Sequence, residues 1–556
     1  MPQKNYILTI GGVGTRILEA IIRLCECGYI TQDELYCIMC DVDASNGNGN
    51  RIAPLIRNYN NCYELMLKGG DDHQIFKTKI MSALDGNAEY KTSPVQTGVA
   101  GVTLSNSFSD DDTSNVLKAY FSEDDREKEV NSGFYGKSLV GSIFTYRDLS
   151  DTTRPNAIGR VLDNIVAELE SGTEIRLFIA GSAFGGTGAS GMLPIVRTLV
   201  EKVNIAPSAP RGKLYICGVL MLPYFSWDHP REKDSSYELS KQLKDKAEER
   251  SKQVVSDYRD LMNGTDGDKI FNRLYVIGAP DKMVRGRFAA GGASQNNWPH
   301  IVELFAAAEA SQFFDAASIQ IGGNEVRKPP APTRSEETMG GLEWTNYPDG
   351  KRLSHCIKSF LTVNLHLSAR IAATVFDRTG NSKARPFEPK PRSIFRERKG
   401  KRLRKNNWIK ARHFATGGFC TRSWRWKFAD LHTPFNELFE YFTDSAIWYS
   451  KIIHDFNDRS KAYLPDLFGT SINTALRTRA NLDEFSALLD DPNLVNNFMR
   501  LATDGLEKLA PPNAKIKHAA NHASEFLAQY VSLLHQQTVI QGPVKGITAG
   551  KTSKNN

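Results

Sequence analysis

The residues whose types and spacing offer chemistry are glycines. The run Gly181-Ser-Ala-Phe-Gly185-Gly186-Thr187-Gly188-Ala189-Ser190-Gly191 holds five glycines in eleven positions. It follows Ile175 to Ala180, an apolar run that reads as a buried strand, and leads into Leu193 to Val200, which reads as a helix. A bare backbone at a strand-to-helix turn lets N–H groups approach an anion closely, and the helix dipole favours negative charge there. The hydroxyls of Thr187 and Ser190 add donors. The chemistry this pattern supports is phosphate binding by main chain.

Two further glycine turns qualify on weaker grounds. Gly11-Gly12-Val13-Gly14-Thr15-Arg16 follows the short apolar run Tyr6 to Ile10 and precedes Ile17, Ala20, Ile21 and Leu24 at helical spacing. A second apolar run, Leu35 to Cys40, ends in Asp41-Val42-Asp43. A dinucleotide fingerprint would use Asp41 or Asp43 as its ribose acid, but it wants a third small residue where Ile17 stands. A nicotinamide-binding protein of that type would also leave 181–191 unexplained. Gly133-Phe-Tyr-Gly136-Lys137-Ser138 has the end of a phosphate loop, yet a Walker pattern needs glycine where Asn131 stands. Lys137 is either a point charge for phosphate or a surface lysine. The eleven histidines show no HExxH spacing, and no Ser/His/Asp or Cys/His set can be assembled. Cys25/Cys27 and Cys37/Cys40 have knuckle-like spacing, but Cys37 and Cys40 fall inside a strand pattern, so packed thiols are expected.

The elements that must position these turns alternate. Strand patterns at Tyr6–Ile10, Leu35–Cys40, Ile175–Ala180, Leu214–Leu222 and Leu274–Ile277 are separated by helical ones, which predicts an α/β protein with a parallel sheet. The Gly/Asn cluster Asn46–Asn50 reads as a loop and Tyr237–Leu261 as one long charged helix. Pro299–Phe314 is apolar on all sides and predicts a helix buried at the centre. Residues 322–350 read as a linker, 361–376 as apolar, and 435–534 as mostly helical, before a polar tail over 546–556. The expected domains are 1–320, 321–430 and 431–545.

The chain has 556 residues and a net charge of +7, with 40% hydrophobic and 24% charged residues, a globular composition. No apolar run reaches the roughly 18 residues of a membrane span, and no signal peptide is apparent, so a cytoplasmic protein is expected. The charge is concentrated. Residues 383–427 hold sixteen lysines and arginines against Glu388 and Glu397, a local surplus of fourteen, so the rest carries seven net negative charges. Trp408, Phe414, Phe419, Trp424 and Trp426 are interleaved there. Such a segment suits a nucleic acid, or a protein partner with an acidic face. Asp110–Glu129, with eight acidic and three basic residues, reads as a solvated insertion.

In this order the turns resemble those of the tubulin/FtsZ superfamily, as a divergent bacterial tubulin-like protein. Gly185-Gly186-Thr187-Gly188-Ala189 is similar to the family's signature phosphate loop, departing from it at Phe184 and Ser190. Gly11–Arg16 resembles the first nucleotide loop. Asp41-Val42-Asp43-Ala44 resembles the second, where the acid helps organise Mg²⁺ and phosphate. Gly133–Gly141, with Gly136, Lys137 and Ser138, is similar to the loop that senses the γ-phosphate. Pro223-Tyr-Phe225 resembles the end of a later family strand, and 299–314 the central helix, with Asn296 or Asn297 at the guanine edge. The resemblance covers residues 5–315. It implies a tubulin/FtsZ-like GTPase domain that binds GTP/GDP with Mg²⁺ and forms a homo-oligomer or filament. Hydrolysis would be completed between subunits by acids after the central helix. Asp315 and Glu325 stand there, without the family's Asn-x-Asp pattern. A GTPase that forms filaments and a non-hydrolysing scaffold or switch therefore both remain open.

Overall fold

The computed structural model describes residues 2–316 except 71–72, 85–88, 94–101, 109–110, 128, 131–133, 135, 152–155, 235, 264–269, 280–282 and 290. It also describes residues 349–376 and positions within 438–452 and 528–535. The chain separates into two units. One comprises Met1–Ile21, Gln32–Pro54 and Lys79–Gly341; the other comprises Ile22–Thr31, Leu55–Thr78 and Leu342–Asn556. Two short pieces of the N-terminal half thus cluster with the C-terminal half.

The first unit is built on a seven-stranded sheet. Its strands are β1 (Gln3–Ile10), β2 (Glu34–Cys40), β3 (Lys79–Ser82), β4 (Lys91–Thr92), β5 (Glu174–Ser182), β6 (Leu214–Met221) and β8 (Arg273–Ile277). The order is β3-β2-β1-β5-β6-β8, with β4 also beside β2. Every pairing is parallel, with Leu8 opposite Ile38 on one side and Ile179 on the other. Both faces are covered, which explains why β1, β5 and β6 read as continuous apolar runs and not as alternating ones. The expected α/β class with a parallel sheet is what forms. A separate two-stranded parallel ribbon joins β7 (Phe225–Asp228) to β9 (Met283–Arg287).

The helices that matter to the site are Gly11–Glu26, Ser138–Ser150, Gly186–Ile205 and Ile301–Asp315. A large core packs Ile158, Leu162, Ile165, Met192, Ile195 and Leu199 against the sheet. The Ile301–Asp315 helix is buried nearly all round, as its composition predicts, and it takes Glu303 and Glu309 into the interior with it. Cys37 and Cys40 are core residues of β2.

Three local expectations change. The Asn46–Asn50 loop is instead a single helical turn, Gly47–Asn50, because the Asn46 side chain caps it by accepting from Asn48 N. The charged helix breaks at Lys246 into Tyr237–Asp245 and Ala247–Asn263, where the Lys246 N–H closes the first segment onto Gln242 O and Lys244 O. The glycine run is not a turn ahead of the helix but forms its first turn, from Gly186.

In the second unit, Phe76, Phe360, Tyr441 and Phe442 stack around one another. Arg23 and Glu26 form a buried pair at 3.2 Å. Glu26 also accepts from Tyr441 Oη and Ser445 Oγ, both at 2.5 Å. Burial pushes the Glu26 carboxyl up to about 7, against the opposing pull of Arg23. The helix Gly350–Phe376 belongs to this unit, and the described positions of 431–545 are helical. The basic segment 383–427 and Glu325 lie outside the described residues.

Candidate nucleotide site

The site assembles at the carboxyl ends of β1, β2 and β5, where open parallel sheets bind ligands. Gly11 continues from β1 with φ +70°, a left-handed conformation that favours glycine. A Cβ there would also stand 3.1 Å from Gly188 N, so the first and third of the sequence's glycine turns lie against each other. A Cβ on Gly186 would meet Gly136 N at 3.0 Å, which brings the Gly136 segment to the same place. The three turns, near residues 11, 136 and 186 of the sequence, are therefore neighbours.

Two helices start here with no side-chain cap. Neither Gly185, ahead of Gly186–Ile205, nor Lys137, ahead of Ser138–Ser150, makes a capping hydrogen bond with its side chain. Elsewhere the helix starts at Asn156 and His300 are capped. The first N–H groups of an α-helix lack intrahelical acceptors. The bare start on glycine at Gly185–Gly186, with a second uncapped start beside it, therefore fits the oxygens of a phosphate.

Among the hydroxyls, Thr187 Oγ1 donates to Asp41 Oδ1 at 3.3 Å. Thr15 and Ser190 are turned away. Thr15 Oγ1 donates to Gly11 O and Ser190 Oγ to Thr187 O, so each serves its own helix. Asp41 is buried and also takes Asn46 Nδ2 at 3.1 Å and Asp43 N at 3.3 Å. Asp43 accepts from Ser45 N, Ser45 Oγ and Gly292 N, the last at 2.6 Å. Two carboxylates beside a phosphate cradle fit Mg²⁺, which is usually held by one or two carboxylates plus phosphate oxygens. Among the described residues no group of three or more His, Cys, Asp or Glu is arranged to hold a metal alone.

Burial raises the Asp41 carboxyl to about 6, partly offset by its hydrogen bond from Asp43 N and by the charge of Lys91. The folded value lies above the ordinary one near 4, so the protonated form is favoured by folding. Its contribution is complete below pH 4 and is lost as pH rises through 6. A shift of about two units corresponds to about 3 kcal/mol. Without nucleotide, stability in urea is expected to fall by that order between pH 4 and pH 7, and the Asp41→Asn protein to lack that loss. Equal pH dependence in both proteins would refute the assignment.

The cations predicted for the site are committed elsewhere. Arg16 is nearly fully buried and pairs with Glu303, and it donates to Tyr224 Oη. Its guanidinium lies 4.7 Å from the Phe225 ring centroid. Lys137 pairs with Asp125. The structure thus brings together Gly11, Gly12, Gly136, Gly185, Gly186, Thr187, Gly188, Asp41 and Asp43. It sets aside the side chains of Thr15, Arg16, Lys137 and Ser190. Gly14 has a packing role, since a Cβ there would stand 2.7 Å from Ala180 O. Ala189 lies in the first turn of its helix, and Ser138 opens another.

Asn297 closes the far side. It exchanges two hydrogen bonds with Asn48, at 2.9 and 3.1 Å. Gln295 Oε1 accepts from Asn46 Nδ2 at 2.7 Å, and Asn296 Oδ1 from Arg51 Nη1 at 2.5 Å. Asn46, Asn48 and Gln295 escaped sequence reasoning, although the Gly/Asn cluster was visible. So did Tyr224, which donates to Glu303 at 2.5 Å. Phe184, out of pattern for the resemblance, stacks edge-on to Phe225 with centroids 5.8 Å apart. A large ring at that position fills space beside the chain leaving β6.

Asp315 lies at the opposite end of the strands, near the amino ends of β1 and β5. The Ile301–Asp315 helix begins beside the site, where Glu303 meets Arg16. It ends where Arg176 Nη1, near the start of β5, donates to Phe313 O and Phe314 O at 3.0 and 2.8 Å. Fifteen residues of helix span about 22 Å. Asp315 is exposed there and accepts from Gln32 Nε2 at 2.5 Å and Ser311 Oγ at 3.1 Å.

No family model, no curated protein and no solved structure matches the chain. Among the described residues no helix is long and apolar enough to cross a membrane.

Proposed function

We propose that the chain is a tubulin/FtsZ-like protein that binds GTP/GDP with Mg²⁺ and self-assembles, hydrolysis being completed between subunits. The observation that carries this reading is the placement of Asp315 near the amino ends of β1 and β5, opposite the carboxyl ends that bear the glycine turns. One buried helix joins the two ends. A carboxylate at the far end of a helix about 22 Å long is out of reach of a phosphate held at the glycine turns of its own subunit. Stacked head to tail, the Asp315 end of one copy meets the glycine turns of the next.

In that arrangement the backbone of Gly11–Gly12 and Gly186–Gly188 holds the phosphates, and Asp41 and Asp43 would hold Mg²⁺, which would supply neutralisation of phosphate charge. Asn297 and Asn48 lie toward the base. Asp315 of the neighbouring copy orients a water on the γ-phosphorus. The new P–O bond forms as the bond to the β–γ bridging oxygen breaks, giving GDP, phosphate and a proton.

Asp315 is also held by Gln32 and Ser311, and that specific engagement favours a second reading. In it the carboxylate is structural, and the protein is a non-hydrolysing scaffold that recruits a protein or nucleic acid through residues 383–427. Light scattering with phosphate release separates the two. The first reading expects assembly with GTP, persistence with a slowly hydrolysed analogue, and phosphate release that begins only when polymer forms. Assembly with no phosphate release selects the scaffold. Failure of wild type to bind any guanine nucleotide removes both.

A further inference from the structure

Lys91 has no motif around it, and its place in the fold gives it one. It belongs to β4, opposite Met39 at the carboxyl end of β2. Main-chain bonds fix that register on both sides: Met39 N donates to Tyr90 O at 2.7 Å and Asp41 N to Thr92 O at 2.9 Å. The lysine is thereby set beside the Asp41–Asp43 segment.

Its side chain runs along the short Gly47–Asn50 helix. A Cβ on Gly49 would stand 3.0 Å from Lys91 Nζ, 3.3 Å from Cε and 3.6 Å from Cδ. The bare backbone of Gly49 is the space that the lysine chain uses. At its end, Nζ donates to Ala44 O at 2.6 Å. An ammonium has three donors, and Ala44 takes one. Of the other cations near this end, Arg16 has Glu303, Arg51 has Glu19 and Lys137 has Asp125, while Arg250 Nη1 lies buried beside Gly136 with no hydrogen-bond partner among the described residues. Lys91 instead rests on a neutral carbonyl, within the field of Asp41 and Asp43. Asp41 in turn touches Thr187 of the phosphate turn.

We propose that Lys91 is the phosphate-binding lysine of this site, its ammonium pairing with the terminal phosphates of a guanine nucleotide beside Asp41 and Thr187. This rests on the GTP-binding reading above. A lysine from a sheet edge then supplies the charge that neither Arg16 nor Lys137 delivers. Lysine suits the task as a point charge on a flexible stem.

The test is equilibrium binding of fluorescently labelled GTP, with GDP and guanosine as competitors, to wild type, Lys91→Gln, Lys91→Arg and Gly49→Ala. Circular dichroism checks that each is folded. Loss of one charge-assisted bond predicts GTP binding about 10- to 100-fold weaker in Lys91→Gln, with guanosine within about twofold of wild type. Lys91→Arg recovers most of the difference. Gly49→Ala, which crowds the lysine and leaves its chemistry intact, lowers the GTP-to-guanosine ratio in the same direction. Unchanged GTP affinity in folded Lys91→Gln, or an equal loss for GTP and guanosine, overturns the role of Lys91 and leaves the GTP reading standing. If Lys91→Gln does not fold, an unchanged ratio in Gly49→Ala overturns it. Absence of GTP binding by wild type removes the GTP reading itself.

Discussion

Asp315→Ala protein is expected to assemble with GTP as wild type does and to release phosphate about 10²- to 10⁴-fold more slowly, the range for losing a group that positions or deprotonates the attacking water. The expectation follows from the geometry of one helix. Ile301–Asp315 starts at the glycine turns and ends at the amino ends of β1 and β5. On the proposed reading Asp315 reaches a γ-phosphate only on another copy. Two measurements check this together. Sedimentation with GTP reports assembly, and phosphate release per subunit, followed against protein concentration, reports the trans requirement. Wild-type release per subunit should rise steeply once polymer forms, while that of the variant stays flat. An assembling Asp315→Ala polymer with wild-type release would falsify the trans role of Asp315. The exposed setting of Asp315 makes the test clean. Gln32 and Ser311 hold it by hydrogen bonds at the surface.

The largest effect on stability is expected at Glu303. Its Oε1 pairs with Arg16 and takes the Tyr224 hydroxyl, and its Oε2 accepts from His300 N in a capping box. Glu303 is fully buried and Arg16 nearly so. Removing one member of such a pair leaves the other charge desolvated, which typically costs about 3–5 kcal/mol. Glu303→Ala also removes the Glu303 half of the capping box, leaving the His300 N–H without its side-chain acceptor. Urea unfolding of Glu303→Ala should show a loss of that order, with hydrogen exchange accelerated across Ile301–Asp315. The double variant Arg16→Met/Glu303→Met should be more stable than either Arg16→Met or Glu303→Met alone, because no charge is stranded. Additive losses would mean that the pair is not coupled. Nucleotide binding should weaken in Glu303→Ala as well, since Asn297 and Gln295 lie just ahead of the same helix start.

Arg16 shows what sequence spacing does not convey. In the linear order it follows three glycines and a threonine, and it reads as a phosphate contact. The helix that begins at Gly11 turns it away from the phosphate turns, toward an acid that lies 287 residues later in the chain. Lys137 fails for the same reason, with Asp125 close by to claim it. Lys91 has no glycine loop beside it, yet β-pairing brings it to the carboxylates.

By itself the sequence determined the class and the layout. Fully buried parallel strands leave unbroken apolar runs, helical faces repeat at their own period, and glycines cluster where backbone must approach backbone or a ligand. Those signals are local, so five of the seven strands of the sheet, the buried helix and the glycine turns were legible, whereas the short strands β3 and β4 were too brief to show a pattern. Only the tertiary structure decided which side chains meet. It joined Gly11 to Gly188, Asn48 to Asn297 and Arg16 to Glu303, and it carried Asp315 to the amino ends of β1 and β5. Charge pairing and burial depend on partners hundreds of residues away, and no local spacing encodes those distances. The glycine backbone of the site was written in the sequence; its charges were assigned by the fold.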